Sequence, residues 1–214
     1  MIVEIELTLV SIIQGVALTF LIENGRHVIS IQQAAFWPYL AAGLLVILVF
    51  WSRSVLHIIT MIRWPLEFGH NFLYFTCALF EALLFTQLNN PQAWFVFGSI
   101  YSAMGWALFS YDLRLLHARE RDSAGPVSNR LYALVTRDQL RNIRVLLPAV
   151  FFLNLICAIC IHARPDFFLA RHGHIWLGLG QLAAFAIYLF YVVRFYTKIA
   201  PLLAEARQEW RGGM

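Results

Sequence analysis

The sequence predicts an all-helical, polytopic transmembrane bundle of six membrane-spanning helices with both termini in the cytoplasm. Three observations carry that prediction. Hydrophobic residues make up 60% of the 214, aromatics 15% and charged residues 13%, with a mean hydropathy of +0.67. That is more apolar side chain than one soluble core of this length can enclose. Six stretches, 5–22, 37–59, 68–88, 93–111, 145–162 and 175–196, approach the roughly 20 residues a helix needs to cross a hydrocarbon layer about 30 Å thick. They lack the alternation of barrel strands, so helices are the way to satisfy their backbone inside lipid. The third observation is the placement of arginine and lysine. With both termini inside, only Arg26, Arg164 and Arg171 of the 16 basic residues fall outside, a strong positive-inside bias. The whole chain is read as a single integral membrane domain, placed in a bacterial-type inner or plasma membrane.

The first span opens Met1-Ile2-Val3-Glu4-Ile5-Glu6, acidic where a signal peptide is basic, and no small-residue cleavage site follows it. It is expected to be retained. Its polar residues Glu4, Thr8, Ser11 and Gly15 repeat every three or four positions with Gln14 beside them, and so predict one polar face. The second span carries Phe50, Arg53, Ser54 and His57 on a face at its inner end. Arginine there can also snorkel to headgroups.

The third span holds the strongest signal, with His70, Tyr74, Cys77 and Glu81 at helical spacing in an apolar run. An ionisable group near the bilayer centre costs about 2.5–3.5 kcal/mol on insertion scales, so it faces a bundle interior, a partner or water. Glu81 stands roughly 10 Å from the outer turn around Asn89-Asn90-Pro91 at 1.5 Å per residue, too deep for so short a side chain to reach water. Just before it, Arg63-Trp64-Pro65-Leu66-Glu67 leads into His70 and Asn71. Pro65 suits a helix start and Glu67 its positive end. Arg53, His57, Glu67 and Asn71 are therefore the candidate cytoplasmic mouth, and Glu81, His70, Tyr74, Gln181 and Gln14 the candidate ion or proton path.

The fourth span carries Gly98, Ser102 and Gly105, and the sixth carries Gly180 and Ala184. Small residues at this spacing are close-packing positions between membrane helices. Between the fourth and fifth spans, the cytoplasmic loop 112–144 is the one long polar stretch. Its Thr136-Arg137-Asp138-Gln139 fits a capping box and predicts a helix start near Arg137, with Pro148 then kinking the fifth span. The sixth span bears His174, Gly178, Gln181, Ala184, Tyr188 and Tyr191 on one stripe, and 201–214 is expected to lie at the interface as an amphipathic helix.

Other residue patterns have plain explanations. Cys77, Cys157 and Cys160 lie in apolar spans, where cysteine packs as a small hydrophobe, so no disulfide is expected. His172-Gly173-His174 lacks the carboxylates of a metal site, and neither a metal nor a cofactor is expected. The pI near 9.2 follows from the inner-face arginines, which attract anionic lipid, and implies no nucleic acid. Two function classes remain. One is a small ion, proton or solute channel or transporter, working as a homo-oligomer because six short-looped helices leave little room for a private pore. The other is a subunit, sensor or scaffold that docks a cytoplasmic protein through the basic stretch from Arg114 to Arg144. An enzyme or haem protein using His57 and His70 would need a nucleophile with its base, or facing histidines at matched depth. The sequence displays neither.

Overall fold

The computed structural model describes residues 2–30, 34–61, 68–121 and 125–212. Among them are seven α-helices: α1 Ile2–Ser30, α2 Trp37–Met61, α3 Phe68–Phe85, α4 Pro91–Arg121, α5 Pro126–Arg141, α6 Leu147–Ala163 and α7 His174–Gly212. Six apolar helical stretches are long enough to span a bilayer, because α5 and α6 join into one rod through a π-helical turn, Asn142–Leu146. That turn explains the fate of Pro148. Proline has no N–H to give and its ring crowds the carbonyl four residues back, and a wider turn placed just upstream absorbs the mismatch.

Local chemistry sets the element ends. The Asn90 side chain accepts from the Ala93 N–H at 3.1 Å and its carbonyl from the Trp94 N–H at 2.8 Å, with Pro91 in the first turn, an N-cap that starts α4 directly after the turn closing α3. Gly125 and Pro126 start α5. There the N–H groups of Val127 and Ser128 donate to the Glu209 carboxylate, at 3.1 and 3.0 Å. An acid from the far end of α7 thus caps the positive end of α5.

The membrane helices pack in the spatial order α7, α2, α1, α3, α4, α6, an incomplete ring in which α6 and α7 scarcely approach each other. At the inner end α5 packs against both α4 and α7. Toward the outer end, Tyr39, Phe85, Trp94 and Phe95 form an aromatic core, with Tyr39 edge-on to Trp94 at 5.5 Å. In lipid such packing and polar contacts, rather than water exclusion, hold helices together.

Three expectations are corrected by this architecture. The stretch 112–144 is not a loop: α4 continues to Arg121 and α5 begins at Pro126. Thr136 falls in mid-helix and caps nothing, so the capping-box pattern was a chance match inside a helix. The C-terminal piece does not lie separately at the interface. It continues α7 through Pro201, and its apolar residues Leu203 and Ala206 are buried with Leu116, Leu131 and Tyr132.

The small residues divide. A Cβ on Gly98 would stand 2.9 Å from Asn154 Oδ1, and one on Gly105 3.7 Å from Leu147 Cδ2. The Gly98, Ser102 and Gly105 face therefore lies against α6. A Cβ on Gly180 would meet nothing within 4 Å and Ala184 is exposed, so neither packs closely against a helix; a close approach on α7 is at Gly178, where a Cβ would stand 3.2 Å from Pro38 and Tyr39 of α2. Gly98→Ala should push the Asn154 amide off its partner and lower stability by about 1–2 kcal/mol, whereas Gly105→Ala should be near neutral. Melting in detergent checks this, and equal melting points for the two variants would contradict it.

Candidate functional site

The inward stripe read from α3 is present. His70, Tyr74, Cys77 and Glu81 are all buried, and so is the α2 face of Phe50, Arg53, Ser54 and His57. The α1 face is reversed. Glu4, Thr8, Ser11 and Gly15 are exposed, and the Thr8 and Ser11 hydroxyls donate to the carbonyls of Glu4 and Leu7 at 2.8 Å. A hydroxyl satisfied by its own helix can face lipid. Gln14, which cannot be satisfied that way, turns inward.

Three buried polar groups result. In the first, about one turn from the end of α3, Gln14 Nε2 donates to Glu81 Oε2 at 3.2 Å and lies 3.5 Å from the Tyr74 hydroxyl. Glu81 is fully buried, and both Glu81 Oε1 and Gln14 Oε1 lack a hydrogen-bond partner. A buried polar atom without a partner is costly, on the order of 1–3 kcal/mol. Phe50 stacks on Tyr74 at 5.0 Å, which fixes the phenol on this layer.

The second group joins three helices around a carboxylate that the sequence reading left in a loop. Asp112 of α4, 0% exposed, sits between two imidazoles: His57 Nδ1 of α2 lies 2.9 Å from Oδ2 and His70 Nδ1 of α3 2.6 Å from Oδ1. An ionised carboxylate only accepts, so both rings donate from Nδ1. His57 Nε2 is buried without a partner. A buried carboxylate between two imidazoles is the kind of arrangement found in membrane proton relays. The two histidines converge on one carboxylate from two helices, which the sequence did not display, and each turns Nδ1 to a different oxygen of it. Among the described residues no three His, Cys, Asp or Glu side chains are arranged to hold a metal ion.

The third group lies one turn of α2 away. Arg53 Nη1 stands 2.7 Å from Asp138 Oδ2, both side chains 2% exposed. The pair is close but poorly aligned, since Arg53 Nε and Nη1 make no hydrogen bond. Asp138 also accepts from Tyr191 and, at 3.2 Å, from Asn142, and the Tyr188 hydroxyl donates to Asn142 at 2.6 Å. Arg53 therefore does not snorkel to headgroups. Burial gives it a fixed partner on α5 instead.

The structure thus gathers Glu81, Tyr74 and Gln14, with His70 stacked on Tyr74 at 6.3 Å, and leaves Gln181 elsewhere. Gln181 bridges Asn154, at 2.8 Å, and Trp94, at 2.7 Å, in the outer half. Arg53 and His57 are near neighbours but serve different carboxylates, and both are buried. Asn71 is half-buried, and Glu67 lies outside the described residues. His174 belongs to the outer core, where its carbonyl accepts from Tyr39 at 2.9 Å and its ring stacks on Phe36 at 5.3 Å.

No known protein family, curated protein or solved structure matches this chain.

Asp112 could have been found. Ser102, Gly105, Phe109, Asp112 and Leu116 continue one buried ladder at spacings of three and four, and only the habit of ending a span at the first charge hid it. Asp138 stands in the same relation to Leu131 and Val135.

Proposed function

We propose that this polytopic membrane protein is a carrier that moves protons, or a small solute coupled to protons, across a bacterial-type inner membrane. The observation that supports this best is the buried Asp112 carboxylate held by two histidines from two other helices, with a second buried carboxylate, Glu81, further along the same α3 face. Groups of this kind inside membrane helices recur in proton relays. His70 and Glu81 are 11 residues apart, roughly 16 Å of helix, and Tyr74 and Gln14 stand between them. The relay is not continuous: Tyr74 and His70 meet by ring stacking, so a proton crosses there only with a side-chain rotation or a bridging water.

A carrier is favoured over an open pore because Leu84, Phe85, Leu88 and Trp94 bury tightly beyond Glu81. Access from the outer side then requires movement of α3 or α4. The test is flux. Liposomes containing the purified protein and a trapped pH dye, given an inward-negative potassium diffusion potential, are expected to acidify faster than empty liposomes. Equal rates, with and without candidate small solutes outside, would remove this reading.

The second reading is a subunit or sensor that docks a cytoplasmic partner. It is favoured by the projecting ends of α4, α5 and α7, which share a core around Leu116, Leu131 and Leu203 while Arg114, Arg121 and Arg130 point outward. Neutralising those three arginines should abolish docking and spare proton flux.

A further inference from the structure

The open side of the helix ring carries a second feature, independent of the proton relay. Inside the ring lies a cavity of about 280 Å³, room for on the order of ten water-sized groups at roughly 30 Å³ each. Its walls are almost wholly apolar, from Val46 and Phe50 on one side to Val150, Leu153 and Phe185 at the seam between α6 and α7. Two polar clasps bridge that seam, Gln181 to Asn154 at the outer end and Tyr188 to Asn142 at the inner end. Between them the helices stay apart, and Ala149, Leu153 and Ala184 are exposed. The cavity therefore opens sideways to the bilayer core.

Immediately below the inner clasp the same seam changes character. A groove of about 360 Å³ runs between α5 and α7, edged by Arg137, Arg141, Arg194 and Lys198, all exposed. Its one carboxylate, Asp138, is already held by Arg53 and Tyr191. Arg53 touches the inner end of the cavity as well, with its buried Nε unbonded. From Lys198 to Gln181 the seam covers 17 residues of α7, about 25 Å. One leaflet of a bilayer, headgroup included, is roughly 20–23 Å thick.

We propose that this seam binds one phospholipid with an anionic headgroup from the inner leaflet, the phosphate among the four cations and one acyl chain through the lateral opening into the cavity. Charge complementarity selects the head, and the apolar walls and lateral opening select a chain. A free phosphate would use the groove alone. General attraction of a basic inner face for anionic lipid would use neither the opening nor the cavity.

The purified protein in neutral detergent, titrated with dioleoyl phosphatidylglycerol and separately with dioleoyl phosphatidylcholine, tests the proposal by native mass spectrometry. One phosphatidylglycerol should be retained about tenfold more tightly than phosphatidylcholine or better, a modest share of what four nearby cations can supply. Arg194→Gln with Lys198→Gln should erase most of that preference. Ala184→Trp, which fills the cavity from α7, should lower phosphatidylglycerol retention severalfold without touching the basic groove, and Ala149→Trp repeats the test from α6 if the first variant does not fold. Equal retention of the two lipids would overturn the proposal. So would displacement of the lipid by millimolar inorganic phosphate, or unchanged retention in both tryptophan variants.

Discussion

Asp138→Asn and Arg53→Met are each expected to lower stability by about 3–5 kcal/mol, because each leaves its buried partner with an uncompensated charge. The geometry makes the effect large. Both side chains are 2% exposed and 2.7 Å apart, and Arg53 cannot reach water without parting α2 from α7, against which it packs. Asp138→Asn keeps size and most hydrogen-bonding capacity, so Tyr191 and Asn142 retain a partner and the loss isolates the charge. The double variant Arg53→Met with Asp138→Leu removes both charges and should recover a substantial part, since an apolar pair of similar volume is often as stable as a buried ion pair. Unfolding in mixed detergent micelles measures all three. Additive losses in the double variant, or a single-variant loss below about 1 kcal/mol as for an exposed pair, would show that the two buried charges do not depend on each other.

How legible this molecule was in its sequence depended on where each polar residue finds its partner. The α3 stripe could be read because His70, Tyr74 and Glu81 interrupt an apolar run at helical period, and all three are buried. The α1 stripe misled for the opposite reason: serine and threonine resemble an inward face by spacing, yet they bond to their own helix and turn outward. Spans were visible as apolar windows, but their inner ends were not. Charge density around Arg114 to Arg144 resembled a loop, while the core positions Leu116, Leu131, Tyr132 and Val135 kept helical period through it. That error concealed Asp112 and Asp138, the two carboxylates that organise the inner half of the bundle. Partner choice was beyond the sequence altogether. Nothing local to Gln181 indicates Asn154 and Trp94 rather than Glu81, because the pairing is set by which helices become neighbours.

The second large effect is expected at the relay, and it bears on transport itself. Asp112→Asn leaves an amide between His57 and His70, removing the charge that offsets an imidazolium while nearly preserving shape. Glu81→Gln likewise keeps volume and a partner for Gln14. Both variants should insert and melt close to the wild type and yet reduce proton flux by at least about tenfold, as expected when a titrating group of a relay is replaced by one that cannot titrate. Glu81→Leu serves as the structural control, because it strips Gln14 of its acceptor and should cost roughly 1–3 kcal/mol of stability. The decisive measurement is the initial rate of potential-driven acidification in liposomes containing equal amounts of folded wild type and Glu81→Gln. The account predicts a wild-type rate clearly above empty liposomes and a Glu81→Gln rate near theirs; equal rates for the two proteins, with only Glu81→Leu impaired through its stability, would contradict it and leave Glu81 a packing residue.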